Sequence, residues 1–193
     1  MKNENHREMA VKAFRCYQEG ELVRRGRVES VHLSTLTDNK LIKECTWSPC
    51  VYVLRLDQVD GLDPAVSSIT PSDDVLRILY IGGHKPSGGR KDRFNAMLKA
   101  ARAAQQHYQK YGYAWNDKLG GWGHPVAGML TTALLRTGFR IDTHCVLDLI
   151  NGENDLDELD LLIGYQEQYH HLPPWNASRK GNQAFKESNV KEH

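Results

Sequence analysis

The sequence predicts an α+β fold: a small central, mostly antiparallel sheet of three strands, flanked by helices and carrying insertions. Three observations lead there. Residues 51–56 (Val-Tyr-Val-Leu-Arg-Leu), 75–81 (Val-Leu-Arg-Ile-Leu-Tyr-Ile) and 143–149 (Thr-His-Cys-Val-Leu-Asp-Leu) have the length and the β-branched and aromatic content of strands. Residues 91–110 place Phe94, Met97, Leu98, Ala101 and Tyr108 on one helical stripe. The chain has 193 residues, enough for one good core and too few for two large domains.

In order along the chain, residues 1–30 read as partly helical, with Met9, Val11, Phe14 and Leu22 loosely spaced and Arg24-Arg25-Gly26-Arg27 closing the segment in positive charge. This region, 1–47, is expected to be a helical and basic extension, either a small DNA-facing addition or a tail. The main domain spans 48–178. Its first two strands are expected to be antiparallel neighbours across a long loop, 57–74, rich in Asp, Gly, Pro and Ser. The stretch 111–138 reads as an insertion: an aromatic, glycine-rich run (Tyr111, Tyr113, Trp115, Trp122), then a helix opened by Pro125 and closed by Gly138. Val126, Met129, Leu130 and Leu134 should face its core. The run packs that helix or touches DNA. After Asn151-Gly152, residues 155–171 form a helix ended by Pro173-Pro174, and 179–193 is a polar tail.

The formal net charge is +1, so bulk charge does not announce a nucleic-acid binder. Its distribution says more. Residues 85–110 hold seven Lys or Arg and one acid; residues 142–178 hold eight acids and no Lys or Arg. The first segment suits a phosphate backbone, the second a cation. No apolar window reaches the ~18 residues of a membrane span, and the polar start contains no signal-peptide core. Cys16, Cys45, Cys50 and Cys145 form no Cys-x-x-Cys pair and read as reduced thiols. The expectation is a cytoplasmic protein without a membrane partner.

Tyr52 and Tyr80 carry chemistry on two of the strands. Alternation puts Tyr52 with Leu54 and Leu56, and Tyr80 with Leu76 and Ile78. Such tyrosines ordinarily pack in a core with the hydroxyl at its edge. Directly after Tyr80 comes a glycine-rich cationic turn, 82–93, leading into a helix, an arrangement suited to phosphate. Arg93 stands on the first turn of that helix and its guanidinium can take two phosphate oxygens at once; Arg90 is the alternative. On the helix 155–171, Glu158 shares a face with Leu161, Leu162, Tyr165 and Tyr169, so its carboxylate needs a metal ion or an arginine beside it. Glu167 falls on the opposite face with Asp157, Asp160 and Gly164, and is expected to be solvated.

These residues, in this order, resemble the GIY-YIG endonucleases. Cys50-Val51-Tyr52 and Tyr80-Ile81-Gly82 stand where the family has its two strand motifs, the second complete and the first keeping its tyrosine and β-branched centre. Arg93-Phe94 matches the arginine of the following helix, Glu158 the metal-binding glutamate, and Pro174-Trp175-Asn176 the closing asparagine. The first motif lacks its glycine, the two tyrosines are widely spaced, and Met97 stands where many members have a histidine. His84, His107 and His124 are nearby histidines that the pattern does not assign.

The resemblance implies hydrolysis of double-stranded DNA as a site-specific, restriction-type enzyme with Mg²⁺, for which Mn²⁺ could substitute. Glu158 would hold the cation, Arg93 neutralise the phosphate, Tyr52 help remove a proton from water, Tyr80 orient water or phosphate, and Asn176 hold the helix or the phosphate. A free tyrosine has a pKa near ~10, so Tyr52 would need cations close by to act as a base. His84, Lys85 and Arg90 are auxiliary candidates. Lys85, Arg90, Lys91, Lys99 and Arg102 are the expected DNA contacts, and double-strand cutting favours a homodimer. Two alternatives stand beside this reading. One is a non-catalytic DNA-binding module on the same fold. The other is a structural metal protein using His144, Cys145, His170 and His171, whose adjacent pairing gives only a weak zinc spacing.

Overall fold

A computed structural model describes residues 2–35, 50–57, 66, 69–84, 92–112, 131, 133–151 and 156–176. The loop 58–65, the cationic turn 85–91, most of the 111–138 insertion and the tail 179–193 lie outside the described residues.

Strand β1 (Val28–His32), β2 (Cys50–Leu56), β3 (Ile78–His84) and β4 (Cys145–Asn151) form one sheet in the order β1-β4-β2-β3. Every pairing is antiparallel. The three expected strands are present and β2 and β3 are neighbours, but the sheet has a fourth strand. Val28–His32 has half-buried Val28 and Val31 among exposed Glu29, Ser30 and His32, and runs against β4, from Val28 opposite Ile150 to His32 opposite Val146. Its mixture of Glu, Ser and His beside Arg27 hid it from a hydrophobic count. The second expected strand starts and ends later, as Ile78–His84, so Gly82–His84 belong to β3 rather than to the turn, and the third expected strand also starts later. Ile141–His144 forms one helical turn, and β4 begins at Cys145.

The helices are α1 (Lys2–Gln18), α2 (Glu21–Arg24), α3 (Asp92–Tyr111), α4 (Ile141–His144) and α5 (Glu158–Tyr169). On one face of the sheet, Leu98 and Ala101 of α3 join Tyr52, Leu54, Leu56, Tyr80, Leu147, Leu149 and Trp175. On the other, Ala10, Phe14 and Tyr17 of α1 and Leu161, Leu162 and Tyr165 of α5 close over Val51, Val53, Ile81 and Ile150. The sheet is therefore sandwiched between helical layers, each burying an apolar face.

The N-terminal segment, expected to be a helical and basic extension, forms α1 and α2, and α1 packs on the core. Ala10, Phe14 and Tyr17, spaced at i, i+4 and i+7, make the buried stripe of α1, while Met9 remains 53 % exposed. The helix lies on α5, where Gly164 makes the close approach possible. A methyl group at Gly164 would stand 2.3 Å from Phe14 Cβ and 2.7 Å from the Ala10 carbonyl oxygen. This contact also corrects the solvated placement of Glu167. The expected outer face of α5 is covered by α1, and Glu167 pairs there with Arg7.

Strand β3 departs from simple alternation. Leu54 pairs with Tyr80 but Arg55 pairs with Ile78, so one extra residue enters β3 between them. Such a bulge shifts the side-chain parity. Ile78 consequently lies in the α1/α5 layer and Tyr80 in the α3 layer, rather than on a shared face. Arg77, just before the strand, adopts φ 51°, and Asp74 anchors the turn by accepting from the Ile78 N–H at 2.8 Å.

Helix α5 is well delimited. The Asp157 side chain accepts from the N–H groups of Leu159 and Asp160, and Asp160 accepts from the Asp157 N–H, a reciprocal cap. His170, at φ 60°, ends the helix before Pro173. Gly138 closes the preceding helical turn at φ 86°, as its glycine suggested; Pro125, Val126, Met129 and Leu130 fall outside the described residues.

Candidate functional site

Four residues singled out in the sequence meet along one short stretch of β3, Tyr80 to Gly83. Tyr52 and Tyr80 lie in the α3 layer with ring centroids 6.0 Å apart. Tyr52 sits opposite Gly82 in the register. Its phenol occupies the space a side chain at Gly82 would need: a Cβ there would stand 2.4 Å from Cε2 and Cζ and 2.6 Å from the hydroxyl oxygen. Both tyrosines are buried, at 6 % and 2 % exposure.

Glu158 arrives at the next residue. A Cβ on Gly83 would lie 2.8 Å from Glu158 Cβ and 3.3 Å from Oε2. Glu158 opens α5 and is 3 % exposed, in keeping with its expected place on the sheet-packing face. Successive residues of a strand point to opposite faces. The phenol and the carboxylate thus reach β3 from its two sides, at neighbouring glycines. Both glycines lie on β3, the last strand of the sheet.

Asn176 fastens the middle of the stretch. Its Oδ1 accepts from the Ile81 N–H at 2.9 Å and its Nδ2 donates to the Ile81 carbonyl at 2.7 Å. The Trp175 N–H adds a bond to the Leu79 carbonyl at 2.9 Å. The segment after Pro174 therefore attaches to the sheet edge, and the Asn176 amide holds a strand rather than a helix.

Arg93 is on the first turn of α3, the helix that covers the tyrosine face; its side chain lies outside the described residues, as do those of His84, Phe94 and Met97. Lys85, Arg90, Lys91 and His124 fall outside them entirely. Of the remaining expected DNA contacts, Lys99 is exposed. Arg102 Nε and Nη2 donate to Asp142 Oδ1 at 2.9 and 2.7 Å, joining α3 to α4. His107 packs at a tilt against Tyr111, with centroids 4.7 Å apart.

Several acids of the segment 142–178 have partners in the fold, while Glu153 and Asp155 lie outside the described residues. Asp142 pairs with Arg102, Asp157 and Asp160 cap α5, and Glu167 pairs with Arg7. Among the described residues no three His, Cys, Asp or Glu side chains gather in a metal-binding group. His144, Cys145, His170 and His171 are all described, so they do not form the structural metal site considered as an alternative. His144 Nδ1 instead accepts from the Arg140 N–H at 2.8 Å, and Cys145 is buried as a free thiol. Mg²⁺ asks less of a protein. It is commonly held by one or two carboxylates, with water and phosphate completing its shell. Glu158, 3 % exposed and seated where Gly83 leaves room for it, is the carboxylate at this strand.

A second polar cluster went unread in the sequence. Asp148, 4 % exposed in the centre of β4, accepts from Tyr17 OH at 2.7 Å, Ser30 Oγ at 2.6 Å and Arg55 Nε at 2.8 Å. Burial first, then the Asp148 charge, push the Tyr17 phenol well above its ordinary range. The available signal was a single acid and a single arginine, each in the middle of an apolar strand, which implies a partner. Asp74 forms another buried node, accepting from Tyr165 OH at 3.1 Å. Burial raises Asp74 above its usual carboxylate range despite these donors.

Comparison with protein-family models, with curated proteins and with solved structures finds no match. Among the described residues, no helix is long and apolar enough to cross a membrane.

Proposed function

We propose that this chain is a GIY-YIG-type DNA endonuclease of the site-specific, restriction kind, using a divalent cation to hydrolyse a phosphodiester. The supporting observation is the meeting of Tyr52, Tyr80, Glu158 and Asn176 on the four-residue stretch from Tyr80 to Gly83, although they come from separate parts of the chain.

On this reading Glu158 holds Mg²⁺, which when bound polarises the scissile phosphate and steadies the leaving oxygen. Arg93, on the helix above the tyrosines, binds the non-bridging oxygens and offsets the charge that grows on them. Tyr52, kept against Gly82, would act as the phenolate, its own proton released to solvent under the influence of the cationic groups, and would accept the proton of the attacking water. Tyr80 fixes the orientation of water or phosphate. Asn176 acts at one remove, by holding Ile81 and so the strand that bears Tyr80 and both glycines. Lys99 and the cationic turn 85–91 contribute phosphate contacts.

Incubating the protein with diverse genomic DNA, in Mg²⁺ and in excess chelator, tests the reading. Discrete fragments in Mg²⁺ alone are expected, and they should vanish with Glu158→Gln. Salt-dependent binding without any strand scission would instead identify a DNA-binding module and overturn the enzymatic reading.

A further inference from the structure

Gly83 follows the tyrosine motif and has no side chain to contribute, yet its position is the most constrained against Glu158. A Cβ there would come within 2.8 Å of Glu158 Cβ, 3.3 Å of Oε2 and 3.7 Å of Cα. The first of these atoms is fixed to the backbone and cannot swing away, so a side chain at residue 83 must displace the start of α5 or the end of β3. Asp157 and Asp160 lock that helix start by their reciprocal cap. Asn176 and Trp175 lock the strand at Ile81 and Leu79. Neither side can yield cheaply.

From this geometry we infer that Gly83 is a positioning residue for the divalent cation: its missing side chain is the seat that lets the Glu158 carboxylate lie against the edge strand. The inference rests on the nuclease reading above and adds to it a residue that touches neither metal nor DNA. It also gives the two consecutive glycines different duties. Gly82 makes room for the Tyr52 phenol on one face, and Gly83 makes room for the Glu158 carboxylate on the other. The base and the metal ligand are thereby placed at adjacent residues of one strand, and each can be displaced separately.

The experiment is Mn²⁺ binding by the full chain without DNA, followed by paramagnetic relaxation. Glu158→Gln should abolish specific Mn²⁺ binding. Gly83→Ala should weaken it by about 10- to 100-fold, the range for residues that orient a ligand without touching the metal. The wild-type protein supplies a readout that survives if Gly83→Ala fails to fold. With the chain isotope-labelled and Gly83 assigned through its backbone connectivities to Gly82 and His84, trace Mn²⁺ should broaden the Gly83 amide signal at lower concentration than that of Gly164, six residues along α5 from Glu158. A sharp Gly83 signal while other amides broaden, or a folded Gly83→Ala that binds Mn²⁺ like wild type, would overturn the role of Gly83 and leave the nuclease reading standing. A wild-type chain that binds no Mn²⁺ would overturn both.

Discussion

The side chain of Asn176 satisfies both backbone groups of Ile81, accepting from its N–H at 2.9 Å and donating to its carbonyl at 2.7 Å. A carboxamide is the side chain that can do both, so it stands in for one residue of a neighbouring strand along the sheet edge. Asn176→Ala should cost on the order of 2–4 kcal/mol, because two buried backbone groups lose their partners. Asn176→Asp keeps the acceptor, loses the donor and should fall between. Urea unfolding measures both, and a midpoint unchanged by Asn176→Ala would show that the segment does not hold the strand.

The Arg55–Asp148 pair leads to a second expectation. Arg55 donates to a carboxylate that is only 6 % exposed and that also serves Tyr17 and Ser30. Removing the cation leaves a buried charge, so Arg55→Met should destabilise by about 3 kcal/mol. Replacing both partners, as Arg55→Met with Asp148→Leu, should recover part of that loss. A thermal or urea series that finds the double variant much worse than the single one would contradict this account.

Gly164 carries the contact between α1 and α5. A methyl group there meets Phe14 Cβ at 2.3 Å and the Ala10 carbonyl at 2.7 Å, neither of which can rotate aside. Gly164→Ala should therefore lose about 1–3 kcal/mol or more, through overpacking. An unchanged urea midpoint would mean that α1 does not dock on this face.

Acid and alkali should act in different ways. Burial raises Asp74 above 3.8, so the folded chain holds its proton to higher pH than the unfolded chain does. The fold has that contribution in full below pH 3.8 and loses it as the pH rises through the higher folded-state value. Asp160, raised from 3.8 chiefly by burial, adds the same sign. Asp74→Asn should flatten this part of the profile, and an unaltered profile would speak against it. At the alkaline end, burial and the Asp74 charge lift Tyr169 from 10 to about 12. Stability should then fall as the pH rises between these values, with phenolate absorbance appearing together with loss of helical signal.

The sequence showed part of this. The core strands, the helix of Arg93 and the inward face of Glu158, Leu161, Leu162 and Tyr165 follow from period-2 and period-3.6 patterns, because each of those elements buries a continuous apolar face. Val28–His32 has no such face, since it is an edge strand whose side chains are half-buried or exposed. Pairing rather than burial defines it. The burial of Glu167 depends on α1, a neighbour brought from the other end of the chain, and no local pattern reports it. The bulge beside Leu79 is likewise a property of the pairing with β2. For the candidate site, residue types and order were readable. Adjacency was not: that Tyr52 lies on Gly82 and Glu158 on Gly83 depends on register and on the absence of two side chains. Arg102 has the composition of a phosphate contact, and only its partner Asp142 reveals a different use.

Single-turnover cleavage of a susceptible DNA by wild type and Arg93→Ala, at equal DNA occupancy in Mg²⁺, tests the central claim most directly. The account predicts that the variant binds DNA but cuts about 100- to 1000-fold more slowly, the loss typical of one preorganised charge-stabilising group, and that chelator stops both. Equal cutting by Arg93→Ala, or cutting that persists without a divalent cation, would contradict it.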